Sequence, residues 1–175
     1  MKTVHFTLST LILLGSAVLA SAQTVSPVQT VQAFYKFDRS HPQAFQRSGV
    51  EARKQWFSPE LYALFQNELK RQTAFEKKNP NEKPYFGDGF PFQPYDETCK
   101  AQGKQLHKDL KVEPAMLQTD RAAVTATFSF PKPCTDADAT TYTIGLIKAK
   151  AGWVIDDVNY GEDTTLKQQL KRKNY

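Results

Sequence analysis

Apolar residues in this chain recur at three- and four-residue spacing up to about Lys77, and at every second position from Gln105 onward. That switch of period constrains the fold more than any other feature, because helices and half-buried strands are the elements that impose those two spacings. Leu106, Leu110 and Val112 alternate with polar neighbours, and the run is expected to end at Pro114. Ala122, Val124, Ala126, Phe128 and Phe130 share one face, opposite Thr125, Thr127 and Ser129. Tyr142, Ile144 and Leu146 repeat the pattern against Thr141 and Thr143, and Lys150-Ala151-Gly152 reads as a hairpin connection. The last segment departs from strict alternation, with Trp153, Ile155, Val158 and Tyr160 spaced two, three and two. One extra residue at Asp156-Asp157 returns all four side chains to one face, which is a β-bulge, and bulges bend sheets.

The helical half carries its own punctuation. Ser26-Pro27 is a helix start, with serine as N-cap and proline in the first turn. Val28, Val31, Phe34, Tyr35 and Phe37 follow at helical spacing, and Asp38-Arg39-Ser40-His41-Pro42 ends the helix. Ser58-Pro59-Glu60-Leu61 starts a second helix, whose stripe is Leu61, Leu64, Phe65 and Leu69, with Tyr62 beside it. Glu60, Asn67, Glu68, Lys70 and Arg71 are read as lying off that stripe, and the helix stops before Asn79-Pro80. Val50 to Phe57 is read as a short lead-in helix with Trp56 and Phe57 turned inward, and Thr164 or Thr165 starts a short basic tail, helical to Leu170. Helices first and an antiparallel meander after them make an α+β domain, with the helices packed on one face of a curved sheet.

Residues 1–22 have the pattern of a secretory signal peptide. Lys2 gives the positive start, the stretch from Phe6 to Leu19 is apolar, and Ala20-Ser21-Ala22 fits a small-residue cleavage site. A membrane anchor needs roughly 20 predominantly apolar residues, and this stretch is shorter. No later segment reaches spanning length. Cleavage after Ala22 leaves a single domain over residues 23–175, lowers the net charge of +5 by one, and places the protein in the periplasm or outside the cell. That charge favours solubility and does not call for nucleic acid. In an oxidising compartment Cys99 and Cys134 are expected to form one structural disulfide rather than a reactive pair, since no C-x-x-C spacing occurs. Closing a loop of about 36 residues stabilises by roughly 3.8 kcal/mol in the chain-entropy picture.

The helix pair, the meander, Ser58-Pro59-Glu60-Leu61, the loop around Gly87-Asp88-Gly89-Phe90 and the ending Trp153-Val154-Ile155-Asp156-Asp157-Val158-Asn159-Tyr160 together resemble the nuclear transport factor 2-like superfamily. Within it the chain looks like the secreted bacterial proteins grouped as domain of unknown function 3828. The resemblance covers most of residues 28–170. It implies a cone, a curved sheet wrapped around a helix and open at one end. In that superfamily such cones serve as isomerases or hydratases, bind small ligands, or mediate protein contacts.

Three groups of residues could carry function. His107 can act as acid or base near neutral pH, but it is read as falling with Asp109, Lys111 and Glu113 on the polar face of a strand; His41 precedes Pro42 in a turn. Asp156 and Asp157 could supply a carboxylate to an apolar cavity, where burial raises a carboxyl pKa, or they could simply bond nearby backbone. A partner tyrosine would come from Tyr35, Tyr62, Tyr142 or Tyr160, with no spacing to choose among them. The third group is the loop of residues 84–99, where Tyr85, Phe86, Phe90, Phe92 and Tyr95 interleave with prolines and glycines. Such a cluster marks a binding surface or plugs the open end of the core. Asp88, Asp96 and Glu97 match no EF-hand spacing, so no metal and no cofactor is assigned. Lys167, Lys171, Arg172 and Lys173 beside Tyr175 read as a solvated basic tail. No G-x-S-x-G, P-loop, dinucleotide fingerprint or H-E-x-x-H occurs. The expectation is an exported binding or interaction module with no catalytic constellation evident, whose partner is a protein or a small apolar ligand. The alternatives are a small cavity enzyme using Asp156 or Asp157, and a periplasmic immunity protein against a delivered toxin.

Overall fold

The computed structural model describes residues 25–42, 45–87, 89–94, 99–101, 103–134, 139–162 and 164–172. Residues 1–24, Asp88, Tyr95, Asp96, Glu97, Lys173 and Tyr175 lie outside them, and with them the expected signal peptide. Helix α1 spans Pro27–Ser40, α2 Arg47–Arg53 and α3 Pro59–Lys78, with a 3-10 turn at Lys54–Trp56 before α3. Strands β1 (Cys99–Ala101) and β2 (Lys104–Leu106) form a small hairpin of their own. Strands β3 (Asp109–Leu117), β4 (Arg121–Ser129), β5 (Thr140–Ala149) and β6 (Gly152–Asn159) form an antiparallel meander in chain order. A short α4, Leu166–Leu170, closes the described chain. This is an α+β protein with N-terminal helices on a four-stranded sheet, and among the described residues no helix is long and apolar enough to cross a membrane.

The expected caps are present. Ser26 accepts from the Gln29 N–H while the Gln29 side chain accepts from the Ser26 N–H, a reciprocal box that satisfies two otherwise orphaned donors. Ser58 caps α3 through the Leu61 N–H, and Thr165 caps α4 through the Gln168 N–H. The Ser58 N–H also donates to the Ile155 carbonyl at 2.8 Å, which pins the start of α3 to β6.

Gly145 pairs with Asp157 and Leu146 with Ile155, so Asp156 is the extra residue of a bulge in β6. Ile155 and Val158 are both fully buried, Trp153 packs partly buried against the core, and Tyr160 follows just beyond the strand on the same side. The inner sheet face, with Val124, Ala126, Phe128, Ile144 and Leu146, meets Val31, Phe34 and Tyr35 of α1 and the Leu61, Phe65 and Leu69 stripe of α3. The disulfide joins Cys99 to Cys134, with their Cα atoms 6.2 Å apart, and ties the small hairpin to the segment leaving β4.

Three readings change. Pro114 does not end β3, which continues to Leu117 with Pro114 opposite Val124 and a register shift before Met116. β3 is an edge strand of the sheet, and at an edge or a bulge the missing proline N–H disturbs little. The alternating run from Gln105 is not one strand, because residues 104–106 pair with β1 and the sheet strand starts at Asp109. Pro131 and Pro133 follow β4 and offer no N–H beyond Ser129, so the chain before Asp109 finds its partner elsewhere. Glu68 is not off the α3 stripe but fully buried. It stands seven residues after Leu61 and three after Phe65, squarely on the core-facing side.

A candidate ligand cleft walled by the aromatic loop

The loop after α3 enters the helical layer. Phe92 is fully buried, 4.8 Å from the Phe34 ring centroid and stacked on Phe57 at 5.4 Å. Phe86 is buried beside Phe45, and Phe90 lies 5.4 Å from Phe45 and packs partly buried against the core. Tyr85 remains 51% exposed. Phe86 and Phe92 fill the core, while Tyr85, Phe86 and Phe90 also wall a cleft of about 1070 Å³. The opposite wall is Phe128, Tyr142 and Tyr160, from the inner face of β4 and β5 and the end of β6.

Asp38 and Arg53 lie at this cleft as a buried pair. The Arg53 Nε–H donates to Asp38 Oδ1 at 2.7 Å, and the other Asp38 oxygen accepts from the Gln93 amide of the loop. Arg53 further donates to the carbonyls of Gly49 and His41 at 3.1 and 2.7 Å, and its guanidinium lies 4.0 Å over the Phe90 ring. Two charges taken from water need this degree of hydrogen bonding to be tolerated. Helix α1, α2 and the loop are thus joined at one carboxylate. A second junction lies nearby, where the Tyr160 hydroxyl donates to the Pro91 carbonyl at 2.7 Å.

The cleft is lined by two of the four tyrosines the sequence offered without choosing among them, Tyr142 and Tyr160. Tyr142 and Tyr160 meet edge to face at 5.0 Å, and Tyr35 reaches Phe128 at 5.4 Å. Tyr62 lies elsewhere and donates to Glu51. The Tyr35 hydroxyl is buried with no hydrogen-bond partner among the described residues. Burial first, and then the Asp38 charge, push its pKa well above the ordinary phenol value. Burial, then Tyr142 and Asp157, do the same for Tyr160. Both phenols therefore stay protonated and act as donors or as ring surface.

His107 lies in the joint between β2 and β3, not on a strand's polar face, and is exposed at the cleft's rim. Next to it, Arg39 donates to the Lys108 carbonyl at 3.0 Å. His41 stacks on Phe37 at 4.0 Å. Asp156 and Asp157 do not line the cleft: Asp156 pairs with Lys167 at 2.8 Å, and Asp157 accepts from the Val158 and Lys167 N–H groups. Among the described residues no group of three His, Cys, Asp or Glu side chains could hold a metal ion.

Sequence reasoning missed Asp38, Arg39, Arg53, Gln93 and Lys108. A signal existed for Asp38, which follows Val31, Phe34 and Tyr35 at the next inward position of the α1 stripe. An acid at such a place needs a partner, and Arg53 follows Val50 by one turn in α2. No family model, curated protein or solved structure matches this chain.

Proposed function

We propose that this protein is an exported binding module of the nuclear transport factor 2-like kind, akin to the domain of unknown function 3828 proteins, whose cleft takes a small, largely apolar ligand. The observation that carries the reading is the cleft itself: about 1070 Å³, with the rings of Phe86, Phe90, Phe128, Tyr142 and Tyr160 in its walls beside polar side chains that include Asp38, Arg53 and Gln93. Concave sites with mostly aromatic walls and a few polar groups are where proteins bind drug-sized molecules. The meander, the bulge at Asp156 and α1 across the inner face support the superfamily reading. The signal-peptide pattern and the Cys99–Cys134 disulfide support export, because such bonds persist in oxidising compartments.

The neutral fluorophore N-phenyl-1-naphthylamine tests this reading. It should bind the folded protein saturably at one site, and Gln169→Trp, which places a bulky ring at the cleft wall, should weaken it at least tenfold. Absence of saturable binding, or binding indifferent to that substitution, overturns the proposal.

A further inference from the structure

The two edges of the main sheet differ. On the β6 side the Ser58 N–H donates to the Ile155 carbonyl, Phe57 runs beside Ile155, and Thr165 bridges to Asn159, so the starts of α3 and α4 cover that edge. On the β3 side nothing pairs with the outer edge among the described residues. Pro114 reveals which backbone groups face that way. Opposed residues in an antiparallel ladder alternate between exchanging two bonds and exchanging none. Proline has no N–H, so Pro114 and Val124 exchange none, and by alternation neither do Val112 and Ala126 or Leu110 and Phe128. The N–H and C=O groups of Leu110 and Val112, with the Pro114 carbonyl, therefore point off the open edge. Carried across the sheet, the same alternation leaves Leu146 and Ile155 unbonded to each other and turns the Ile155 carbonyl off the far edge, where the Ser58 N–H meets it.

We propose that β3 pairs with β3 of a second copy of this chain, antiparallel about a two-fold axis at Val112, joining the two sheets into one. Each Val112 N–H then donates to the Val112 carbonyl of the other copy, and each Leu110 N–H to the other Pro114 carbonyl. The side chains fit this register. Asp109, Lys111 and Glu113 are exposed on the outer face and alternate in sign, while Leu110 and Val112 pack against the core. An axis at Val112 sets Lys111 opposite Glu113 of the second copy twice over, whereas an axis at Lys111 or Glu113 brings like charges together. Opposite charges directly across a ladder stabilise it and like charges weaken it. Within one chain Lys111 already reaches Glu113 at 2.9 Å, with both side chains well exposed, and pairing places each lysine between its own glutamate and the other copy's. An open edge is a template for another strand, and charge commonly guards it. Here the charges complement their own reversal, which is what an isologous contact requires.

Sedimentation equilibrium of the purified protein tests this, whatever the cleft binds. The protein should populate a monomer–dimer equilibrium. Lys111→Glu should weaken the dimer at least about tenfold, because each copy then sets two acids against two. Glu113→Lys should do the same, and an equimolar mixture of the two variants should form a heterodimer as tight as the native dimer. The double variant carrying both changes should dimerise like the native chain, since the swap restores every opposed pair. These side chains are exposed, and unchanged far-UV circular dichroism checks that the variants keep their fold. A monomer at every concentration up to about 1 mM overturns the proposal. A dimer indifferent to Lys111→Glu overturns this edge as its contact, and a double variant no better than the single ones overturns the register.

Discussion

Asp38 and Glu68 hold equivalent places on their helices, each seven residues after an apolar residue that opens the buried stripe, Val31 in one case and Leu61 in the other. Both are buried, and both are answered by arginine: Asp38 by Arg53, and Glu68 by Arg71 and by Arg172 at 2.6 Å. A buried carboxylate that loses its partner is an uncompensated charge in a poor solvent. Arg53→Met should therefore cost about 3–5 kcal/mol in urea unfolding, while Asp38→Leu combined with Arg53→Met should recover much of that loss. A double variant no more stable than the single one would show that Arg53 acts through its bonds to Gly49 and His41 instead. Tyr35 is the opposite case, a buried hydroxyl with no hydrogen-bond partner among the described residues.

Among the elements, α4 is held by charge as well as by the buried Leu166 and Leu170. Glu60 of α3 accepts from Lys167 at 2.7 Å and Lys171 at 2.8 Å, Lys167 also reaches Asp156, and Arg71 donates to the carbonyls of Leu170 and Arg172. The Arg172 guanidinium lies 3.8 Å over Tyr85, so α4 also steadies the outer wall of the cleft. Bonds from Lys167 and then Lys171 hold the Glu60 carboxyl at about 2, against an ordinary 4.5. A folded-state value below the unfolded one stabilises above the unfolded value and is lost as pH falls through the folded one. Protection of α4 amides from exchange should accordingly decline between pH 4.5 and about 2, and Glu60→Gln should flatten that decline. Because Glu60 is solvent-facing, the effect should be local and weakened by salt.

At the scale of the molecule, the disulfide is the link between the small hairpin and the sheet. Replacing Cys99 and Cys134 by serine should lower stability by about 3–4 kcal/mol in urea unfolding, since the open chain regains the freedom of a long loop. That bridge was legible because a chain with two cysteines leaves one pairing. Helices α1, α3 and α4 were legible because a serine or threonine cap marks each start, and the β6 bulge because Trp153, Ile155, Val158 and Tyr160 break alternation once. The β1–β2 hairpin was not, because it depends on where pairing with β4 stops, at Ser129 just before the prolines at 131 and 133, a fact about a different stretch of chain. The cleft was only half legible. Its rings stood out in the loop, but the bond from Arg39 to the Lys108 carbonyl joins the end of α1 to the joint before β3, 69 residues apart in the chain.

Asp156 has a consequence out of proportion to its modest contacts. Strands have two sides, and each residue counted along them changes side, so this aspartate acts as a parity bit for everything downstream. Remove it and Val158 trades places with Asp157, the Tyr160 phenol swings away from the Pro91 carbonyl, and the partition between interior and exterior inverts from that point to the end of the strand. The far wall of the cleft is thus set by an odd number, written into the chain four residues before the tyrosine that benefits from it.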